Sequence, residues 1–330
     1  MEQIIEIRNY AFKQRLARII PPKNYLTHNL YSYPAKFIPH VPYYVISKYL
    51  KKKDSIVLDP FAGSSSTAIE SLHQGHNSIS IDINPLTNFL TKVKTQRINF
   101  NLSQQIPLKL DPFLENGISN LKKEKRKSIH LNDFIKQMKE NIEIFHPRWK
   151  NIDHWYPEEF KQILTQIWGF IYSIEDDYPE DFMNLVKLSA LNISRFLSYA
   201  ARDVPKLFRS KRRIKQVEEL RKKVGSNPDI PYLTYRKTLR KYYDQMMQLT
   251  KILNEKNLTP EYDHQITSSN IRCNETNKRK IIFLGGTDVL SYNFPFNEEF
   301  IDLIITSPPY VYAQEYIRST KLDLYWLNLV

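Results

Sequence analysis

Two short apolar runs each end in an aspartate: Asp59 closes SIVLD and Asp82 closes NSISID, 23 positions further on. Behind the first comes Pro60-Phe61-Ala62-Gly63-Ser64-Ser65-Ser66-Thr67, a loop of small and hydroxyl residues around one glycine. A loop of this kind between a strand and a helix lies at the ligand-binding edge of a parallel sheet, and Gly63 allows close backbone approach. An acid at the end of the following strand is placed to accept hydrogen bonds from ribose hydroxyls. Asp59, at its own strand end, can hold a cationic group. The loop has neither the Gly-Lys-Ser/Thr ending of a phosphate loop nor the GxGxxG of a dinucleotide loop. The ligand that fits has a ribose and an ammonium group and no pyrophosphate.

A second motif, Thr306-Ser307-Pro308-Pro309-Tyr310, follows the continuous apolar run IDLII. The two prolines fix the backbone and remove donors, so the Pro308 carbonyl can point into a site. A planar amino group could give one hydrogen to Ser307 and the other to that carbonyl, while Tyr310 stacks on a base taken out of its helix. An SPPY alone is weak; behind a buried strand, in the same chain as DPFAGSSST, it is specific.

Together the two motifs resemble the DNA amino-methyltransferases, which make N4-methylcytosine or N6-methyladenine. The cofactor loop of that family reads DPFxGSGT, and here GSSST stands for GSGT, with serine replacing glycine at Ser65 or Ser66. If the replaced position needs a positive φ, serine costs about 1 kcal/mol there. The family's catalytic loop, (D/N/S)PP(Y/F), is matched by Ser307 to Tyr310, which implies catalytic roles for Ser307, Pro308, Pro309 and Tyr310. The segment HNLYSYPAKFIPHVP (28–42) resembles the one that packs around the methionine end of the cofactor. Gly286-Thr287-Asp288 resembles a third motif, whose acid contacts the cofactor's adenine amino group. The cofactor implied is S-adenosyl-L-methionine. Its implied contacts are Tyr33, Pro34, Lys36, Asp59, Phe61, Gly63, Ser64, Thr67, Asp82 and Asp288, with Phe37 near its methionine end. The resemblance covers roughly 28–98 and 281–327 of the 330 residues. Serine at the head of the catalytic loop leans toward cytosine N4, with adenine N6 as the alternative.

Elements must hold these loops in place. SIVLDPF and NSISIDINP read as strands, GSSSTAIESLHQG and PLTNFLTKVKTQRI as the helices after them, with Gly75 as a C-cap and Pro85 in a first turn. This β-loop-α-β-α order predicts an α/β fold, a doubly wound Rossmann-like methyltransferase sheet with a large helical insertion. A further helix is expected over 43–52. The expected organisation is a cofactor-binding half over 1–100, a basic helical lobe over 101–279 and a catalytic-loop part over 280–330.

The chain carries 48 Lys and Arg against 35 Asp and Glu, a formal net charge of +13, which argues for an anionic partner. Between Lys206 and Lys251 there are 14 basic and four acidic residues. Arg212, Arg213, Lys222 and Lys223 are the candidate phosphate contacts, and double-stranded DNA is the expected partner. One cysteine excludes a disulfide framework within the chain, and Cys273 in NIRCNET lies outside any Pro-Cys motif, which excludes carbon-5 cytosine methylation. No metal site is expected; His73 and His76 read as surface residues, and Trp149, Trp155 and Tyr156 as packing. No apolar run reaches about 18 residues and no signal-peptide pattern opens the chain, so a cytoplasmic protein without a membrane partner is expected.

Strands are expected at 55–59, 77–82, 97–101, 281–285 and 301–306, fewer than the seven that the resemblance implies. The sheet is therefore expected to be incomplete at its C-terminal side. This leaves open a half-enzyme or non-catalytic DNA-binding subunit that needs a second polypeptide to complete the sheet, beside a site-specific methyltransferase of a restriction-modification system with a cognate endonuclease.

Overall fold

The computed structural model describes residues 25–33, 36–103, 128–201, 207–267, 276–295, 300–307 and 316–330. Helix α1 (His40–Tyr49) leads to β1 (Ile56–Asp59), α2 (Ser66–Gln74), β2 (Asn77–Asp82) and α3 (Leu86–Thr95). Then come β3 (Asn101–Ser103), β4 (Ser128–His130), α4 (Leu131–Glu140), α5 (Ile152–Trp155), α6 (Glu158–Ser173), α7 (Glu180–Leu197), α8 (Lys211–Ser226) and α9 (Ile230–Glu255). The chain continues with β5 (Thr259–Asp263), β6 (Lys278–Gly285), β7 (Leu303–Ile304) and α10 (Tyr316–Trp326).

The chain forms two compact units. The first comprises the described residues up to Arg97 together with Gln245–Thr320. Its core is a parallel sheet in the order β5-β6-β2-β1-β7. All four residues of β1 are buried, as a central strand covered on both faces requires. On one face Ile69 and Leu72 of α2 and Leu249 and Leu253 of α9 close over Ile281 and Phe283. Ile56, Leu58, Ile79, Ile81, Ile282 and Leu284 form a second cluster. Each such side chain contributes about 1.5–3 kcal/mol on burial, so the sheet centre is the part least able to move. Gly75 ends α2 at φ 85°, its amide donating to Leu72 O at 3.0 Å, as the sequence suggests.

Two strands differ from the expectation. The run at 97–101 does not join the main sheet: Asn101–Ser103 pairs with Ser128–His130 in a separate two-stranded ribbon. Conversely, β5 adds a parallel edge strand beside β6 in the region read as helical. Its sequence, TPEYD, is polar and half-buried throughout, and its proline is tolerated because an edge strand needs donors on one side only.

The second unit comprises Ile98–Asp244 and Lys321–Val330. Here Trp168 stacks on Trp326 at 5.9 Å, and Trp326 Nε1 donates to the Tyr156 hydroxyl at 2.9 Å. Arg195 pairs with the buried carboxylate of Asp323. Helix α8 starts at Ser210, whose hydroxyl accepts from the Arg213 amide at 3.0 Å. Arg213, expected to meet DNA, instead turns inward. Its guanidinium donates to the carbonyls of Ser198 and Phe196 at 3.0 and 2.6 Å, taking up acceptors left open at the end of α7. Arg212, Lys222 and Lys223 are exposed, on the side of α8 opposite the buried Val217 and Val224. Among the described residues, no helix is long and apolar enough to cross a membrane.

Candidate functional site

Strands β1, β2 and β6 are in register, so that Asp59, Asp82 and Gly285 end them along one edge. The loops leaving these ends, with Ser307 beyond β7, wall a cavity of about 170 Å³ in the first unit. Among the lining residues are Tyr33, Lys36, Phe61, Gly63, Ser64, Asp82, Asp288 and Ser307. The structure thus brings together most of the expected cofactor contacts and the first residue of the expected catalytic loop. Asp59 and Thr67 are absent from this wall. Pro34, Pro308, Pro309, Tyr310 and Cys273 lie outside the described residues.

Asp82 organises the edge. One carboxylate oxygen accepts from the Gly63 amide at 2.7 Å and the other from the Asn84 amide at 2.8 Å, while its carbonyl accepts from Thr287 at 3.0 Å. One residue therefore ties together the loops after β1, β2 and β6. Burial raises its carboxyl above the usual carboxylate range, and the two amides work against that shift. Each oxygen keeps further acceptor capacity on a residue that lines the cavity, which is what a vicinal diol needs.

Position 63 favours glycine, since a side chain there would be strained and would press on a neighbouring ring. Gly63 sits at φ 49°, and an added Cβ would lie 3.1 Å from the Tyr33 ring. Tyr33 is in turn held by Asn84, whose amide donates to the Tyr33 hydroxyl at 3.2 Å and to Thr320 Oγ1 at 2.9 Å. Asp59 faces the base of the loop, accepting from Thr67 Oγ1 at 2.6 Å and the Phe61 amide at 3.1 Å. Burial pushes its carboxyl up to about 6 despite these bonds. Asp59 and Thr67 therefore shape the loop from behind.

Lys94, which sequence reasoning passed over, is fully buried and donates to Ser64 O at 2.8 Å. Its spacing from Leu86 and Leu90 on α3 places it on the apolar face, and that spacing is the signal that could have found it. Burial holds its ammonium well below the usual lysine range. Lys36, on the cavity wall, is lowered to about 8 by burial and donates to His28 O and, at 3.2 Å, to Asn29 Oδ1. An anionic ligand group beside Lys36 would offset that desolvation cost. Phe61 and Ile83 remain 38% and 55% exposed at the loop tips, apolar surfaces on which a flat ring can lie.

His73 and His76, read as surface, are largely buried. His28 and His73 lie 2.7 and 3.4 Å from the fully buried Glu70, which also accepts from the Tyr25 hydroxyl. Burial raises the Glu70 carboxyl and lowers both imidazoles, so the cluster is a hydrogen-bonded network beneath α2.

Of Ser65 and Ser66, Ser65 is the one whose backbone conformation favours glycine. It takes the left-handed conformation, φ 65° and ψ 31°, immediately before α2, and its hydroxyl pairs with Thr91 Oγ1 at 2.6 Å. Removing the Cβ recovers about 1 kcal/mol of strain, close to the worth of the lost hydrogen bond. Ser65→Gly is therefore expected to leave stability within about 1 kcal/mol of the parent. Ser65→Ala keeps the strain and orphans Thr91, and should cost about 1–2 kcal/mol. Thermal unfolding of the two variants checks this; alanine proving at least as stable as glycine would contradict the assignment of strain.

The sheet order and edge cavity define a Rossmann-like methyltransferase fold. Residues 13–92 match the family model described as DNA methylase, of the N6/N4 type. The chain is 26% identical over 310 residues to the type II methyltransferase M.MvaI of Kocuria varians, an alignment covering 92% of this chain and 58% of that protein. It is 23% identical over 329 residues to M.BsoBI of Geobacillus stearothermophilus, covering 97% and 56%. With M.MjaII of Methanocaldococcus jannaschii it shares 28% identity over 161 residues, 49% of this chain and 27% of that protein. The chain thus spans little more than half the length of the curated relatives it matches, and less of M.MjaII. No solved structure is significantly similar to it. The family match and these relatives support the N4/N6 DNA amino-methyltransferase family for this chain.

Proposed function

We propose that this chain carries the cofactor- and base-binding core of a DNA methyltransferase acting on an exocyclic amino group, with cytosine N4 as the target. The observation that carries the proposal is the meeting of Asp82 and Ser307 on one cavity wall, although 225 positions separate them in sequence. The residues present fit S-adenosylmethionine. Asp82 offers acceptors for ribose hydroxyls, Lys36 a cation for a carboxylate, and Phe61 and Ile83 open apolar faces for a purine. When bound, this cofactor supplies a methyl carbon bonded to a sulfonium, which an amine nitrogen can attack directly.

The protein's part is positioning. Ser307 Oγ accepts one hydrogen of the base amino group, and the Pro308 carbonyl is proposed to accept the other, drawing the nitrogen lone pair out of conjugation with the ring. Asp82, Lys36 and Phe61 would hold the cofactor with its methyl group in line with that nitrogen and the neutral thioether as leaving group, and the proton the nitrogen sheds would pass to solvent. Holding both reactants in line supplies most of the acceleration. Tyr310 is proposed to stack on the displaced base. Double-stranded DNA is the proposed substrate, and a restriction-modification role with a cognate endonuclease follows the naming of the relatives as type II methyltransferases.

The test is transfer of labelled methyl from S-adenosylmethionine to mixed-sequence duplex DNA, followed by identification of the modified nucleoside. N4-methylcytosine is the expected product. N6-methyladenine would overturn the choice of base while keeping the mechanism; absence of label from DNA would overturn the proposal itself.

A further inference from the structure

The second unit holds a separate concavity of about 490 Å³ lined by Leu131, Leu233, Arg236, Lys237, Arg240, Lys241 and Asp244. Four of these are cations and one is an acid. Arg236 and Arg240, like Lys237 and Lys241, stand one turn of α9 apart, about 6 Å along the axis. The single acid is already used: Asp244 lies 3.1 Å from Arg240 Nε. Arg240 is further fixed by a 3.2 Å bond to Leu102 O and by lying over the Tyr243 ring. Among the described residues, Arg236, Lys237 and Lys241 have no ion-pair partner, so the groove carries uncompensated positive charge. Its wall also has an apolar part, with Leu233 44% exposed.

Resting on the reading of the chain as a DNA methyltransferase, we infer that this groove of α9 seats the sugar-phosphate backbone of the DNA substrate. Phosphates meet the cations and the apolar side of a deoxyribose lies on Leu233. Contacts of this type fix the register of the duplex and carry no sequence information. The geometry separates this groove from the row on α8. Arg212, Lys222 and Lys223 stand on an exposed helix face, outside the lining of this groove. The α9 cations share a concave, partly apolar surface, where a phosphate can meet two at once. An acidic peptide would also answer the charge. The chain's net charge of +13 and its match to a DNA methylase family model favour DNA.

The test is the salt dependence of binding to a mixed-sequence duplex. It compares the parent chain with Lys237→Glu/Lys241→Glu and with the milder Lys237→Gln/Lys241→Gln. Both lysines are exposed, and equal melting temperatures would show that folding is untouched. Each lost phosphate contact removes about one unit from the slope of log affinity against log salt. Both double variants should therefore be shallower by about two and weaker on every sequence alike. A parental slope in both variants would overturn the inference and leave the groove to an acidic protein partner. If the parent chain itself bound no duplex, the methyltransferase reading would fall with it.

Discussion

Asp82→Ala is expected to lower affinity for S-adenosylmethionine roughly fivefold to 150-fold, the equivalent of about 1–3 kcal/mol for a charged hydrogen-bond acceptor. The effect has two sources. The substitution removes the proposed acceptor of the ribose hydroxyls, and it also releases the amides of Gly63 and Asn84, which the carboxylate holds at 2.7 and 2.8 Å. Asp82→Asn separates them. Its single carbonyl oxygen can keep one amide, but its NH2 group opposes the other, so its affinity should fall between alanine and the parent. Calorimetric titration reads both. An alanine variant with parental affinity would remove Asp82 from the cofactor site.

The second large effect is expected on turnover. Ser307→Ala should slow methyl transfer by roughly tenfold to a hundredfold, the scale of about 1.5–3 kcal/mol for a hydrogen bond to a group gaining charge, while cofactor affinity changes little. Tyr310→Ala should likewise leave cofactor affinity nearly unchanged, but its loss should appear chiefly in binding of the displaced base. This division follows from the proposed roles: an interaction realised only as the nitrogen reacts lowers kcat and kcat/KM together. Single-turnover rates with saturating cofactor measure it. A Ser307→Ala variant with the parental rate would show that the amino group finds its acceptor elsewhere.

How these residues come to one edge was partly legible in the sequence. The four-residue apolar β1 and the capped α2 leave little freedom in where the Pro60–Ser65 loop can lie, and Asp82 closes the next strand in the same way. Lys94 was legible in principle, because it falls one turn beyond Leu90, yet a lysine two positions from Lys92 near a helix end reads by habit as solvated. Asn84 was not legible: its role depends on Tyr33 and Thr320, which are 51 and 236 positions away. Strand β5 was hidden because an edge strand shows neither alternation nor an apolar run. Charge alone could not separate Arg213 from Arg212. One turns in to the carbonyls at the end of α7 and the other out to solvent, a difference set by the roughly 100° step between successive residues of a helix.

The cavity at the ends of β1, β2 and β6 is the proposed seat of S-adenosylmethionine. Ultraviolet crosslinking of the radiolabelled cofactor to the intact chain, followed by peptide mapping, tests it most directly, because Tyr33 and Phe61 supply aromatic acceptors on the cavity wall. Label is expected in peptides containing Tyr33 or Phe61, competed away by unlabelled cofactor. Competable label confined to peptides of Ile98–Asp244 would contradict it.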